Sequence, residues 1–278
     1  MNTPDVYAVV GHPVAHSRSP FIHTCFAEQT GENIRYGTLD VPPQEFERAV
    51  GHFRAQGGRG LNVTVPHKER AFVYATVLSE RARRAGAVNT LRFDGAQAVW
   101  ADNTDGVGLV RDLSANLGVT LAGCRVLLLG AGGAARGVLG PLLDTGPALL
   151  VVANRSVARA DALAGRFAAA GDLRACGLDA IPPLAFDLLI NATSTSLSGV
   201  GLPLTREHLA DGALCYDMMY AAEPTVFLRQ AIALDAARTA DGRGMLVEQA
   251  AESFWRWRGK RPRTAPVIEA LGAALIRG

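Results

Sequence analysis

Four apolar residues, Val126-Leu127-Leu128-Leu129, run directly into Gly130-Ala131-Gly132-Gly133-Ala134-Ala135. An apolar run of strand length, followed at once by glycines and then by helix formers, dictates a strand at 125–129, a tight turn and a helix. The glycines permit the sharp bend and the close approach of another group. The helix that follows offers unpaired N–H groups and the positive end of its dipole. In this setting Gly130-x-Gly132-x-x-Ala135 is the pyrophosphate-binding fingerprint of a doubly wound α/β unit. Further apolar runs at 149–153, 187–191 and 213–217 predict strands of the same sheet. The Ala-rich stretch 157–170 predicts a crossover helix, and Pro141 is expected to kink the helix after the glycines.

The same alternation fills the first third of the chain. Residues 6–10 predict a strand, and Ser19-Pro20 opens a helix with serine as N-cap and proline at the first helical position. A strand at 34–40 precedes an amphipathic segment at 44–55 whose apolar face is Phe46, Ala49, Val50 and Phe53. A strand at 60–65 ends at Pro66 and delivers Lys68 past its carboxyl end, the edge at which open α/β sheets bind ligands. Residues 109–117 predict a helix, and from Gly242 onward the chain is helical again, carrying Gln249 among the apolar positions Leu246, Ala250 and Phe254. The expectation is an α/β protein with largely parallel sheets in two domains. A substrate domain would comprise 1–105 and 242–278, and a Rossmann-type domain 106–241. No long linker separates them, so the boundary near 105 is a compact hinge, with the active-site cleft between the two.

Composition narrows the function. A formal charge of +2 gives no footprint for nucleic acid or an anionic membrane, and Lys260-Arg261-Pro262-Arg263 reads as a solvated loop. Cys25, Cys124, Cys176 and Cys215 are widely spaced and carry neither a zinc signature nor a disulfide framework. With no basic, apolar leader behind Met1, the expected setting is the cytoplasm, with no metal.

The strand after the glycine turn specifies the nucleotide. An NAD-binding chain typically carries an acidic residue at the end of that strand for the ribose 2′-hydroxyl. This chain has Asn154-Arg155-Ser156, with Arg159 one helical turn later. Two guanidinium groups and a hydroxyl suit a 2′-phosphate that a carboxylate would repel, so NADP is favoured over NAD.

Lysine usage marks a second site. Of 28 Lys and Arg residues only Lys68 and Lys260 are lysine, and Lys68 lies in Asn62-Val63-Thr64-Val65-Pro66-His67-Lys68. Lysine can exchange its proton near neutral pH where arginine cannot, so a lysine in an arginine-rich chain is a candidate general acid or base. His67, beside it, is expected to be structural or supporting, because neighbours along a chain commonly point different ways.

Polar motifs recur in order along nearly the whole chain: His16-Ser17-Arg18-Ser19-Pro20, the run holding Asn62, Thr64 and Lys68, Gly86-Ala87-Val88-Asn89-Thr90, and Asp102-Asn103-Thr104-Asp105-Gly106. Gly130 to Ala134, Asn154-Arg155-Ser156, Asn191-Ala192-Thr193, Asp217 to Tyr220 and Gln249 complete the set. Together they resemble the shikimate dehydrogenase family. The resemblance implies NADP-dependent, reversible reduction of 3-dehydroshikimate to shikimate, on the route to chorismate and the aromatic amino acids. By motif, Lys68 and Asp105 would be the catalytic pair. Ser17 and Ser19 would take the substrate carboxylate, and Asn62, Thr64, Asn89, Tyr220 and Gln249 its ring and hydroxyls, with Lys68 and Asp105 also in contact. Gly130, Ala131, Gly132, Gly133, Ala134, Asn154, Arg155, Ser156 and Arg159 would bind NADP, with Thr193, Met218 and Gly242 near its nicotinamide half.

Ser, Thr, Asn and Gln suit a polyhydroxylated ring acid, because they pair with hydroxyls without leaving a charge unmatched. The family usually has glycine where Ser196 stands, so the loop near the nicotinamide is expected to be shaped differently. Two other functions fit the same pattern: a quinate/shikimate dehydrogenase of broader scope, and a non-catalytic NADP-binding sensor. Either a monomer or a homodimer is compatible with it.

Overall fold

The computed structural model describes residues 3–95, 98–167, 171–193, 195 and 199–276. Ser196 and the end of the predicted 157–170 helix lie outside them. Two six-stranded sheets follow one another along the chain, giving the α/β architecture.

The first sheet contains β1 (Asp5–Gly11), β2 (Ile34–Asp40), β3 (Gly58–Val63), β4 (Val77–Leu78), β5 (Thr90–Asp94) and β6 (Ala98–Asp102), in the order β2-β1-β3-β5-β6-β4. It departs from the largely parallel expectation in one strand: β5 runs antiparallel to both β3 and β6. One face of this sheet packs on α2 (Phe46–Ala55), through Phe46, Val50 and Phe53 against Ala8, Val10, Leu61 and Leu91. The predicted 44–55 segment therefore holds, with its first turn tightened into 3₁₀ geometry at Pro43–Glu45. On the other side α1 (Ser19–Thr30) packs through Ile22 and Phe26 on two C-terminal helices, α9 (Arg243–Arg258) and α10 (Ala265–Ile276). The C-terminal segment thus returns to the first sheet.

The second sheet is parallel throughout: β7 (Arg125–Leu129), β8 (Leu149–Asn154), β9 (Leu173–Gly177), β10 (Phe186–Asn191), β11 (Leu209–Asp217) and β12 (Arg238–Asp241), ordered β12-β11-β10-β7-β8-β9. Chain order reverses between β7 and β10, the switch point of a doubly wound sheet. Val126 and Leu128 face α6 (Gly133–Leu143), while Leu127 and Leu129 face α8 (Val226–Ala233). The predicted crossover from β8 to β9 is α7 (Val157–Gly165), which buries Ala160 and Leu163. Burial on both faces explains why these strands read as unbroken apolar runs.

Two local expectations fail. The 109–117 helix begins earlier, as α5 (Asp105–Arg111), and continues as a π-helical turn at Asp112–Asn116. Ser19 is not an N-cap: Arg18 occupies the cap, Ser19 is the first helical residue, and no side chain caps the turn. Pro141 sits inside α6 without ending it. It has no N–H for the Gly137 carbonyl, and its ring packs where Gly106 of α5 leaves room.

Candidate active site

Lys68 is the first residue of α3 (Lys68–Tyr74), past the carboxyl end of β3, and Asp105 is the first residue of α5, past β6. Their side chains meet, Lys68 Nζ to Asp105 Oδ2 at 2.5 Å, and little of either is exposed. The other oxygen, Asp105 Oδ1, accepts from Asn89 Nδ2 at 2.8 Å. Asn89 Nδ2 also lies 3.1 Å from Gln249 Oε1, while Asn89 Oδ1 accepts from the Thr104 N–H at 2.9 Å. Gln249 is itself tethered through Nε2 to the Leu246 carbonyl at 2.8 Å. A near-buried ammonium and carboxylate are tolerable because each has the other and the carboxylate has further donors.

Beneath this pair Asp102, fully buried, anchors the turn that carries Asp105. Burial alone would push its carboxyl up, but the Arg81 guanidinium, the Ser79 hydroxyl and the charge of Arg256 hold it below the usual range. Asp102 Oδ1 also accepts the Asn103 N–H at 2.8 Å.

A second group collects around the start of α1. Tyr220 packs on the apolar cluster that joins α1 to α9. Ser17 Oγ accepts the Ser19 N–H at 3.3 Å. Asn62 connects this group to the first, because its Nδ2 reaches the Asn89 carbonyl at 3.3 Å and its Oδ1 accepts from Tyr36 at 2.7 Å. Thr64 is fixed through its backbone, Thr64 N–H to the Val10 carbonyl at 2.9 Å. His67 faces away: its ring stacks on Phe46 and bonds the Val41 carbonyl through Nε2 at 2.7 Å. Its role is structural.

Across from these groups lies the carboxyl rim of the second sheet. Gly130 has φ +112°, and a Cβ there would lie 3.1 Å from both the Ala192 carbonyl oxygen and Thr193 Cγ2, so only glycine suits this turn. Thr193 is bound to Asn191 Oδ1 through its N–H at 3.0 Å and its hydroxyl at 2.6 Å. Met218 and Gly242 close the rim by backbone bonds to the Asn191 and Met219 carbonyls. Gly132 caps α6 with no side chain over the turn, which leaves the helix N-terminus open to an anion. At the end of β8, Asn154 Nδ2 holds the Ser156 carbonyl at 2.9 Å, while Arg155, Ser156 and Arg159 are exposed. Neither arginine has a side-chain partner among the described residues. An open helix N-terminus, a turn that excludes a Cβ and two free guanidinium groups together fit a phosphorylated dinucleotide.

The two regions touch directly. A Cβ on Gly137 of α6 would stand 3.0 Å from Asp105 Oδ2 and 2.9 Å from Asn103 Oδ1. The helix that begins at the glycine turn therefore passes against the Asp105 carboxylate, and a larger residue at 137 would push it away. The sequence reading missed Gly137, although a small residue one turn past the glycine turn was visible.

Profiles of three families match in order: the shikimate dehydrogenase substrate binding domain over residues 9–91, shikimate / quinate 5-dehydrogenase over 112–209, and the shikimate 5'-dehydrogenase C-terminal domain over 242–271. A shikimate dehydrogenase (NADP(+)) of Methylococcus capsulatus is 54% identical over 98% of this chain and 98% of its own. The chain belongs to the shikimate dehydrogenase family. Among solved structures, the Ael1 enzyme of Pseudomonas putida is 46% identical with a TM-score of 0.89, covering 96% of this chain and 98% of its own. The shikimate 5-dehydrogenase of Thermus thermophilus, solved with NADP(H) and shikimate, is 35% identical with a TM-score of 0.85, covering 98% and 100%. Within that shared fold, Lys68, Asp105, Asn89 and Gln249 form one hydrogen-bonded cluster, and the glycine turn and Arg155 share one rim.

Tyr36, His23 and Ser253 also belong to the polar cluster and were not singled out from sequence, and Thr104, quoted within its motif, was given no role of its own. Ser253 carried a signal: it lies four residues after Gln249, one turn along the same helix face. Tyr36 carried none, since tyrosine is common in strands for its packing alone.

Proposed function

We propose that this protein is an NADP-dependent shikimate dehydrogenase, reducing 3-dehydroshikimate to shikimate and reversing the step, in the pathway to chorismate and the aromatic amino acids. The observation that carries the reading is the Lys68–Asp105 contact at 2.5 Å, with α6 of the dinucleotide unit passing beside it. The substrate unit is 1–105 with 242–278, the cofactor unit 106–241, and the reaction occurs between them. No helix among the described residues is long and apolar enough to cross a membrane. The protein works in the cytoplasm, as a monomer or homodimer, on a small molecule and without nucleic acid.

Bound in the cleft, NADPH supplies the hydride for the ring carbonyl carbon. Gly130 to Ala134 and the α6 N-terminus receive its pyrophosphate, Asn154, Arg155, Ser156 and Arg159 its 2′-phosphate, and Thr193, Met218 and Gly242 border its nicotinamide. As the carbonyl oxygen gains negative charge, the Lys68 ammonium donates a proton to it, and the neutral amine takes the proton back in the oxidative direction. Asp105 orients Lys68 and accepts from the neighbouring ring hydroxyl. Asn89 holds Asp105 in place, and its link to Gln249 sets the ring-facing amides in one geometry. Ser17 and Ser19 receive the carboxylate at the start of α1, while Asn62, Tyr220 and the Thr64 hydroxyl, which has no side-chain partner among the described residues, arrange the ring and its hydroxyls.

The test is an initial-rate assay crossing shikimate and quinate with NADP and NAD. A dominant rate with shikimate and NADP is expected. Comparable rates with quinate would assign the broader quinate/shikimate specificity, and tight NADP binding without any turnover would assign a sensor.

A further inference from the structure

Between the end of β6 and the start of α5 the chain reads Asp102-Asn103-Thr104-Asp105, and Asn103 belongs to neither element. It is nevertheless only 1% exposed. Its Oδ1 accepts the Asp105 N–H at 3.2 Å, which closes an Asx turn over the first residue of α5. Its Nδ2 donates to the Ala87 carbonyl at 3.0 Å. Ala87 stands two residues before Asn89, and Asn89 Nδ2 donates to Asp105 Oδ1 at 2.8 Å. One amide therefore ties the backbone of the turn that carries the carboxylate to the backbone of the loop that grips it.

The two partners fix the orientation of the amide. A backbone carbonyl can only accept and a backbone N–H can only donate, so nitrogen faces Ala87 and oxygen faces Asp105. The cofactor helix covers the third side. A Cβ on Gly137 of α6 would lie 2.9 Å from Asn103 Oδ1 and 3.1 Å from Asn103 Nδ2, as well as 3.0 Å from Asp105 Oδ2. The backbone of α6 thus rests on the amide and the carboxylate together, with no side chain between. Asparagine suits this place where its close relatives do not. A serine could bond the Asp105 N–H but lacks the length to reach Ala87, and an aspartate would turn a second carboxylate oxygen toward the Ala87 carbonyl.

We propose that Asn103 is a positioning residue for the proton transfer: its amide sets the spacing between the Asp105 turn and the Asn89 loop and gives α6 a fixed seat against the Lys68–Asp105 pair. The proposal rests on the functional reading above. Asn103 acts through Asp105. Without the amide, Asp105 keeps its bonds to Asn89 and Lys68, but the two loops lose the tie that fixes their separation, and the Lys68 ammonium is aimed less well at the carbonyl oxygen. That loss falls on turnover and leaves the groups at the start of α1 and at the end of β8 where they are.

Asn103→Ala removes both bonds and should lower kcat about tenfold, the scale of a buried neutral hydrogen bond, with KM for shikimate and for NADP within about threefold. Asn103→Ser keeps the turn bond and a small polar side chain, so it preserves the fold where the alanine variant does not, yet its kcat should stay within about threefold of that tenfold loss because Ala87 remains out of reach. In a Lys68→Ala background, Asn103→Ala should change the residual rate less than about twofold, since no ammonium is left to aim. An unchanged kcat in both Asn103 variants, full activity in Asn103→Ser, or an equal loss with and without Lys68 would overturn the proposal. A lower melting temperature with kinetic constants intact would also overturn it and leave Asn103 a folding residue. An active wild type with unaltered Asn103 variants sinks this proposal alone, whereas a wild type without turnover on shikimate and NADP sinks the functional reading with it.

Discussion

The two halves of the cleft are prepared in opposite ways. On the first sheet, Asp105, Asn89, Asn62 and Gln249 are nearly buried, and each is hydrogen-bonded to another residue of the set before any ligand arrives, Asn62 through the Asn89 carbonyl. On the second, Arg155 and Arg159 project into solvent, and α6 opens with no side chain over its first turn. A reaction centre must hold a charge pair at fixed geometry in a dry site, so its polar groups have to satisfy one another. A nucleotide brings its own dense charge and can organise exposed arginines as it binds. The difference predicts that substitutions on the first side damage turnover or the fold, and substitutions on the second damage cofactor affinity alone.

The sharpest break would come at Lys68. Lys68→Ala removes the proton donor and should lower kcat by about 10²–10⁴-fold, the range of general acid catalysis. NADP affinity, measured by fluorescence titration, should stay within about threefold, because Lys68 touches no residue of the rim that holds the nucleotide. Near-normal turnover would show that the buried pair is structural.

Arg155→Asp probes the other side. Replacing an exposed cation with an anion should raise KM for NADP about ten- to a hundredfold, as charge-assisted bonds to a phosphate are lost and repulsion is added. The constants for shikimate and for NAD should barely move. Equal loss with NAD, which has no 2′-phosphate, would remove Arg155 from that role.

How much of this contrast was legible follows from the same physics. The cofactor side was readable because its determinants are contiguous: Gly130 to Ala134 and Asn154 to Ser156 each sit at one strand end, and β7 begins and ends at the predicted residues. In the first sheet, β5 and β6 were missed. They are five residues each, mix buried with half-buried positions, and border the polar motifs that drew attention away from strand patterning. Lys68 and Asp105 were named as a pair by motif, although spacing alone does not join residues 37 apart and the contact is made by the fold. Ser19 was misread as a cap because a serine before Pro20 satisfies the local rule, whereas the helix opens one residue earlier, with Arg18 at the cap. Local rules find groups that wait for a ligand and overlook groups committed to one another across the sheet.

The buried side also predicts a pH dependence that the exposed side lacks. Burial pushes the His23 imidazole down to about 3, against an ordinary value near 6.5. Below pH 6.5 the unfolded chain binds a proton at His23 that the folded chain refuses. The stability contribution is therefore complete above pH 6.5 and is lost as pH falls toward 3, at up to about 1.4 kcal/mol per pH unit. Urea unfolding at pH 7 and pH 5 should differ by about 2 kcal/mol from this group. In His23→Leu that difference should shrink, and an undiminished acid sensitivity would assign it to other groups.

The smallest effect is expected where the two halves meet on the outside. Arg84 of α4 (Glu80–Ala85) grips Asp144, just past α6, with two bonds of 2.7 and 2.8 Å, and both side chains are partly exposed. Water and salt already satisfy such a pair well, so Asp144→Ala should cost only about 0.2–1 kcal/mol of stability, less at high ionic strength. Because α6 is held against α5 by the close approach of Gly106, Gly137 and Pro141, kcat and both KM values should remain within about twofold. A large loss of turnover in Asp144→Ala would mean that the outer ion pair, and not the glycine contact beside Asp105, sets the distance between cofactor helix and carboxylate. The contrast between a committed interior and an open rim would then need a third, exposed element that governs both.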